Sequence, residues 1–599
     1  MADLTKKRLT GADFIADFIS MHCFPNVFLV TGGACAFIVD ALGRNSKVSY
    51  TCFQHEQAAA MAADSIWRTS GKIGVTLATS GPGATNLITG IACSWFDSIP
   101  SLHITGQVNQ SESRDAIGAN VRQAGFQETD IASMVSSITK WAKSIKSVDD
   151  LLVSLPLALQ LARSGRMGPV LLDVPMNIQK EMIDEERYLA ALQIKSEQVI
   201  SENNIDKNLF ANFFSDSKRP LVLIGAGAAL SGTLNIIQQW CEENKIPYVA
   251  SWGAMPYLTP SQDLFQGSIG VYGSRHANWC IQAADKILVL GSRLDNRQRT
   301  GNPHGFAPFA SILVLDIDKE ELAKYRELRN YSILEIDLHK SGHFLSNFTL
   351  SSEWSTWLTE LEIQKNSMEA GFEKSTGDSN LNPYFATQMI QGKMAKNSIA
   401  VSDCGANLCW IYQAWEPSST FLFTSGGNSP MGYSLPAAIG AQIANPGKKV
   451  YCFIGDGGLQ MNIQELQTIV HYKLPIVIFI QNNFGYGIIK QFQDSYFEGR
   501  HFATGIGYSV PDFAKIANAY GIKYIKIEEM ESLKIFEIPL GPIIIDLHFS
   551  ENSLITPKTE MDRFIHDQFP YISDGSVNRL PFPYPERPSA LSNLTNPTV

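Results

Sequence analysis

The chain has 599 residues, 45% of them apolar and 18% charged, with a formal net charge of −10. That length exceeds what one hydrophobic core supports and predicts about three domains. The composition is that of a large globular protein, and the negative balance argues against nucleic acid as a partner without excluding a locally built phosphate site. Nine cysteines (Cys23, Cys35, Cys52, Cys93, Cys241, Cys280, Cys404, Cys409 and Cys452) are scattered with no Cys-x-x-Cys pair. They read as reduced thiols in a cytoplasmic setting. The first residues, MADLTKKRLTGADFIADF, carry no signal-type apolar core, and no apolar run approaches the roughly 18 residues of a membrane span.

In chain order, Leu9 to Ser20 has the spacing of an amphipathic helix. Val27 to Val30 is a short buried strand ending in Thr31-Gly32-Gly33-Ala34. Val48 to Phe53 leads through Gln54 and His55 into Glu56 and a helix of small residues, AAAMAADSIWRTSG. Ile73 to Ala78 is a further strand, followed by Thr79-Ser80-Gly81-Pro82-Gly83-Ala84-Thr85-Asn86. This alternation predicts an α/β domain over residues 1–185. Glu56, at a strand-to-helix transition, suits a carboxylate stabilised by the helix dipole. The SGPGATN turn suits a tight β-to-α connection, and Gln127 suits a surface amide.

Residues 186–210 are polar and acidic and read as a linker. Pro220 to Ile224, Ile287 to Leu290 and Ile312 to Leu315 are strands of a second open α/β sheet, within a domain spanning 186–370. A Gly-rich turn follows the first of them (Gly225-Ala226-Gly227), a weak dinucleotide signal by itself. Arg297 read alone is a surface or interdomain arginine.

A third α/β domain is predicted over 371–560, with a Pro-rich tail at 561–599 that lies extended over the surface. Ile399 to Ser402 is a strand ending Asp403-Cys404-Gly405-Ala406-Asn407, and SGGNSPMGYSLPAAIGAQIA is a Gly-rich loop opening a helix. Met431 there suits core packing. The segment 451–487 reads β-turn-α-β-turn: a strand to Ile454, the turn Gly455-Asp456-Gly457, a helix over MNIQELQTIV, a strand from Leu474 to Ile480, then Asn482-Asn483. Both polar turns fall at carboxyl ends of strands, where open parallel sheets bind ligands. Asp456, the amide oxygen of Asn483 and a following carbonyl form a hard-oxygen set suited to Mg²⁺. The glycines admit a phosphate to the helix start. GDG alone is also an ordinary βα turn.

GDG, 24 residues (458–481) and then NN resembles the diphosphate-binding signature of thiamin diphosphate enzymes. FQHEQAAAMAAD, TSGPGATNLITGIACSWFDSIPSLHITGQV, GFQETDI, GPVLLDVPMNIQ, GSIGVYGSRHAN and GSRLDNRQRTG narrow the resemblance to the acetolactate synthase branch. The resemblance implies three doubly wound parallel-sheet domains: pyrimidine-binding, central FAD-binding-like and diphosphate-binding. It implies that Glu56 hydrogen-bonds the cofactor's aminopyrimidine and shares a proton with it, as suits a buried carboxylate away from any cation. Gly33, Phe126 and Gln127 would line the reaction pocket. Ser80, Gly81, Pro82, Asn86, Asn407, Gly455, Gly457, Gly458, Tyr486, Gly487 and Ile488 would contact the cofactor. Met431 would prop it in a bent shape, and Asp456, Asn483 and the Gly485 carbonyl would bind Mg²⁺. FAD, largely structural, would lie against Gly225, Gly227, Gly273, Arg293 and Asp316.

The implied reaction is decarboxylation of a small 2-oxo acid, pyruvate, and ligation of the resulting hydroxyethyl carbanion to an acceptor carbonyl. The alternatives are a carboligase or lyase with an aldehyde, sugar ketone or diketone acceptor, and a flavin-dependent pyruvate oxidase. The family builds its sites at the interface of a homodimer or homotetramer, so Glu56 and Asp456 would serve one site from different chains. Arg297 matches an arginine that meets the acceptor's carboxylate. Departures cluster on the acceptor side: Phe492 stands where the biosynthetic synthases have Trp, Met176 where they commonly have Lys, and Val30-Thr31 where Tyr-Pro is usual.

Overall fold

The computed structural model describes residues 9–193, 209–259, 264–328, 330–339, 345, 350, 354–369, 381–561, 563–571 and 580–582. Three six-stranded, all-parallel sheets are present. The first contains β1 (Asn26–Leu29), β2 (Ser49–Cys52), β3 (Gly74–Ala78), β4 (Ser101–Gln107), β5 (Trp141–Ser144) and β6 (Val170–Pro175), in the order β2-β1-β3-β4-β6-β5. The second contains β7 (Pro220–Ile224), β8 (Tyr248–Ala250), β9 (Phe265–Ser268), β10 (Lys286–Leu290), β11 (Ser311–Asp316) and β12 (Tyr331–Glu335), in the order β12-β11-β10-β7-β8-β9. The third contains β13 (Ile399–Ser402), β14 (Phe421–Phe423), β15 (Val450–Gly455), β16 (Val477–Asn482), β17 (Lys523–Ile527) and β18 (Ile543–His548), in the order β14-β13-β15-β16-β18-β17. The central strands β3, β7 and β13 are buried residue by residue, as parallel strands covered by helices on both faces must be.

The first and third sheets share one strand order. In each the strand order reverses between the first and third strands, β1/β3 and β13/β15. The second has the dinucleotide-fold order and reverses between β7 and β10.

These sheets form two compact units. One joins Met1–Val199 to Ser379–Leu554; the other joins Ile200–Asp378 to Ile555–Val599. In the first unit a single apolar cluster runs from Phe28 and Phe53 through the Glu56–Ser70 helix to the Ser434–Ala444 helix and the third sheet. The alanine-rich sequence explains the contact. With Ala58, Ala59, Ala62 and Ala63 on one helix and Ala437, Ala438, Gly440 and Ala441 on the other, the backbones approach closely. A helix at Glu185–Ala191 buries Tyr188 edge-on against Phe14, so the packing of the first domain runs past residue 185 into the stretch expected to be a linker.

In the second unit, β19 (Lys558–Thr559) and β20 (Gln568–Phe569) make a small antiparallel ribbon. It is tied to the Gly267–Arg275 stretch: Thr559 N–H donates to Val271 O (2.8 Å) and Gln568 Nε2 to Gly273 O (3.0 Å). Phe582 stacks on Phe309, with centroids 5.0 Å apart. The rest of the Pro-rich tail, from residue 583, lies outside the described residues.

One expected element differs. MNIQELQTIV is not a continuous helix but Asp456–Met461, a 3₁₀ turn at Ile463–Glu465, and Leu466–His471. The break is at Asn462, whose extended φ of −132° goes with a bond from its Nδ2 to Gly432 O at 2.8 Å. A tertiary bond to a neighbouring loop overrides a favourable periodicity. The following strand starts at Val477, beyond Pro475, which lacks the N–H for the ladder.

A Cβ on Gly440 would lie 2.4 Å from both Ala62 O and Ser65 Oγ. Gly440→Ala is therefore expected to destabilise the first unit by about 1–3 kcal/mol, the usual cost of overpacking. A denaturation midpoint equal to that of the unmodified chain would contradict this.

Candidate active site

At the diphosphate end, β15 delivers Asp456 as the first residue of a short helix. Its carboxylate is buried, 2% exposed, and accepts from Gly457 N–H (2.5 Å), Gly485 N–H (3.0 Å) and Tyr508 OH (3.2 Å). Burial pushes its pKa up to about 6, outweighing those three donors. β16 ends at Asn482, Asn483 follows, and Phe484, in the left-handed region at φ +57°, turns the chain sharply into Gly485. Asn483 is buried, and its Nδ2 has no hydrogen-bond partner. A Cβ on Gly487 would sit 2.5 Å from that atom. The Met431 methyl and the Tyr486 ring both lie over Gly457, where a Cβ would meet them at 3.1 and 2.5 Å, and a Cβ on Gly455 would meet nothing within 4 Å. Tyr486 packs on Tyr508 with centroids 4.2 Å apart. Ile488 is half-buried in the Gly487–Tyr496 helix.

Hard oxygens, an unpaired buried amide and an uncovered turn fit the expected thiamin diphosphate and Mg²⁺, with Asp456 and Asn483 as side-chain donors. Among the described residues no three His, Cys, Asp or Glu gather as a metal cluster, and this set, drawn from one carboxylate, one amide and backbone, does not require one. Asn407 is less available: it donates to Gln481 Oε1 (2.6 Å) and accepts from Ser402 Oγ (3.2 Å).

At the other end, Glu56 is the first residue of its helix, capped by His55, and is 8% exposed. Its Oε2 accepts from Asn86 Nδ2 at 3.0 Å, and its Oε1 would lie 3.2 Å from a Cβ on Gly83. The Gly83 side of Glu56 is thus kept clear by a missing side chain. Ser80 is buried and Pro82, exposed, opens the Pro82–Asn86 helix. Gly81, at φ +60° and ψ −120°, takes a conformation that L residues rarely adopt. Its Cβ position is also occupied, 2.8 Å from Gln127 Cβ. Gln127 is itself left-handed at φ +61°, and Phe126 beside it is 83% exposed. Gly33 begins a 3₁₀ turn after β1, with nothing within 4 Å of its Cβ position. Met176 is half-buried at the end of β6, and Phe492 packs on Tyr496 and Phe497.

In the other unit, Gly225, Arg293 and Asp316 lie at the carboxyl ends of the adjacent strands β7, β10 and β11. Gly225 and Gly227 answer first to packing, since their Cβ positions lie 2.1 and 2.9 Å from Gly291 O. Arg293 pairs with Asp295 at 3.6 Å, Asp316 accepts from Asp318 N–H, and Gly273 O is taken by Gln568. Arg297, exposed, holds its guanidinium over Tyr272 at 5.5 Å. A flavin fits this edge by strand position more than by donors set out for it.

Several residues escaped the sequence reading. Asp403, fully buried at the end of β13, accepts from the N–H groups of Gly432 (2.9 Å) and Tyr433 (3.0 Å). Burial pushes it up to about 7. Gly458 gives it room, since a Cβ there would be 1.9 Å from Asp403 Oδ2. Tyr508 lies outside every motif. Glu465 is buried and accepts from Gln54 and His55 N–H, both at 3.1 Å, and from Thr468 Oγ1 at 2.6 Å. The one available signal was the single charged residue in MNIQELQTIV. Burial raises Glu465 to about 7 from 4.5. A carboxyl raised on folding contributes stability that is fully present below pH 4.5 and lost as pH rises through about 7. Glu465→Gln is expected to remove that dependence, on the order of 3 kcal/mol over the window. Chemical denaturation at several pH values checks it, and an unchanged slope would count against it.

Comparison with known proteins shows the same three-part division. Residues 9–134 match the family described as thiamine pyrophosphate enzyme, N-terminal TPP binding domain, residues 208–335 its central domain, and residues 403–535 its C-terminal TPP binding domain. The chain is 33% identical to the acetolactate synthase large subunit of Cyanidium caldarium, over 90% of this chain and 92% of that protein. It is 32% identical to the large subunit of Lactococcus lactis, covering 92% and 94%. With the isozyme 1 large subunit of Escherichia coli it shares 31%, covering 92% and 96%.

Proposed function

The chain belongs to the acetolactate synthase family of thiamine pyrophosphate enzymes, and from that premise we infer that it decarboxylates pyruvate and ligates the remaining two-carbon unit to an acceptor carbonyl, with 2-acetolactate as product when pyruvate is also the acceptor. The observation that carries this reading is the presence of two buried carboxylates, Glu56 and Asp456, each at the carboxyl edge of one of two sheets with the same strand order. Bound thiamin diphosphate supplies the carbon nucleophile and the electron sink. The protein's part is to hold and to move protons. Asp456, Asn483 and the Gly485 carbonyl hold Mg²⁺ and the diphosphate, with Gly455, Gly457, Gly458, Gly487 and Ile488 forming the surrounding wall. Met431 and Tyr486 back the cofactor over Gly457. Asn86 orients Glu56, whose Oε1 lies on the clear side beside Gly83, the position from which it would exchange a proton with the cofactor's aminopyrimidine. Gly33, Phe126 and Gln127 close the pocket on the donor side, and Met176 and Phe492 select the acceptor. Gly225, Arg293 and Asp316, adjacent at the carboxyl edge of the second sheet, are the residues that would hold FAD as a structural ligand.

We further propose a homodimer, or a pair of dimers, with Glu56 of one chain and Asp456 of its partner in one site. Each half is satisfied within its own domain, Glu56 by Asn86 and Asp456 by Gly457, Gly485 and Tyr508. Phe126, 83% exposed in a single chain, suits cover by a second copy. No described helix is long and apolar enough to cross a membrane. With none of the nine cysteines in a disulfide, a reducing cytoplasmic setting is the matching assignment.

Incubation with pyruvate, thiamin diphosphate and Mg²⁺ is expected to yield acetolactate and CO2; acetaldehyde or acetate as the sole organic product overturns the reading. Glu56→Gln is expected to keep cofactor binding and lose about two to four orders of magnitude in rate. Co-expressed with Asp456→Ala chains under separable tags, it should recover about a quarter of normal site activity, because half of random dimers are mixed and each holds one intact site. Mixed dimers without activity would rule out the shared site.

A further inference from the structure

The loop 424–433, which carries Met431, is gripped from the N-terminal domain by a buried ionic cluster. Arg68 is 8% exposed at its side chain, Asp64 0% and Asp97 12%. Arg68 donates to Asp64 (Nε, 2.7 Å), to Asp97 (Nη2, 2.8 Å) and, through Nη1, to the loop carbonyl of Thr424 at 3.1 Å. One cation faces two carboxylates, so the set carries a surplus negative charge that burial makes costly. The donors that offset it come mostly from the loop. Asp97 accepts from Gly426 N–H (2.8 Å) and Gly427 N–H (2.7 Å). Asp64 accepts from Tyr433 OH (2.5 Å) and from Ser94 Oγ (3.0 Å). Asn428 Nδ2 reaches Thr89 O at 3.3 Å. Asp403 holds the same loop at its far end through Gly432 and Tyr433 N–H. The loop is therefore pinned at both ends, with Met431 between the pins and its methyl over Gly457.

We propose that Asp64, Arg68 and Asp97, with Tyr433, are positioning residues for the cofactor: they set the 424–433 loop, and so the Met431 support beneath the cofactor's rings, without touching the diphosphate. This rests on the assignment of Met431 to the ring end and of Asp456 and Asn483 to the diphosphate. Charge-assisted bonds to backbone N–H groups are strong and directional, so removing one loosens the loop while leaving the sheet intact. Asp97→Asn keeps the shape but exchanges one acceptor for a donor against the Gly426–Gly427 pair. Tyr433→Phe is milder and deletes only the hydroxyl that bonds Asp64.

The test uses the full chain with Mg²⁺ and two probes, thiamin diphosphate and inorganic diphosphate, with dissociation constants from calorimetry and amide exchange of the apoprotein over 424–433. Both variants are expected to weaken thiamin diphosphate about tenfold and inorganic diphosphate by less than about twofold, with faster exchange at Gly426 and Gly427. Equal weakening of both probes would mean general scaffolding, and unchanged thiamin diphosphate affinity despite faster exchange would mean that the loop's order is irrelevant to the cofactor; either overturns the proposal. Should Asp97→Asn fail to fold, Tyr433→Phe decides alone. Met431→Ala separates the two readings. If it binds thiamin diphosphate as the unmodified chain does, the role of Met431 falls and the proposal, which acts through Met431, falls with it; if it weakens binding while Asp97→Asn and Tyr433→Phe do not, the role of Met431 stands and the clamp alone is overturned.

Discussion

A carboxylate taken out of water without a cation beside it has to be surrounded by donors, and Asp403 imposes that requirement on the whole diphosphate end. The N–H groups of Gly432 and Tyr433 converge on it, which fixes the start of the Ser434–Ala444 helix. The neighbouring turn has to be Gly458, because no side chain fits within 1.9 Å of its oxygen. Asn462 then bonds back to Gly432 O, and this is where the helix after GDG breaks. Two loops and a helix boundary follow from one buried charge. Even so, burial leaves Asp403 near 7, so the donors only partly offset desolvation.

The arrangement separates holding from reacting. Carboxyl groups in the interior, Asp403, Glu465, Asp64 and Asp97, bond backbone and neighbouring side chains and keep loops in place. Glu56, Asp456 and Asn483 follow strand ends and Asn86 closes the Pro82–Asn86 helix, with glycines beside them where a side chain would intrude: Gly83 beside Glu56, Gly455 and Gly457 beside Asp456, Gly487 beside Asn483. Rigidity in the first set is what allows open space around the second to keep its shape.

The strands were legible because parallel sheets demand continuous apolar runs: Pro220 to Ile224 and Ile399 to Ser402 have the expected bounds. The turns after them were legible because phosphate and metal chemistry restricts residue types. What could not be read were partners distant in sequence. Asp403 and Gly432 are 29 residues apart and Arg68 and Thr424 are 356 apart, with no local pattern to join them. Helix-like spacing misled at Asn462 because a side-chain bond to another loop is invisible to periodicity. At Gly225 and Gly227 a dinucleotide-like turn proved to be where two backbones of the second sheet meet, since close packing and phosphate approach select the same residue.

The first compact unit is interrupted in sequence, with Ser379–Leu554 returning to Met1–Val199 after the middle unit. During synthesis the alanine face of the Glu56–Ser70 helix leaves the ribosome 364 residues before Ser434, the start of the helix that covers it (434 minus 70). At ordinary translation rates that is an interval of roughly 20–70 s. For that time Arg68 lacks the Thr424 carbonyl, and the nascent N-terminal domain presents an apolar face with buried charges half-partnered. Newly made chains are therefore most exposed to aggregation and to chaperone capture before the last sheet arrives, and a slower passage through the middle unit lengthens the risk without altering the finished molecule.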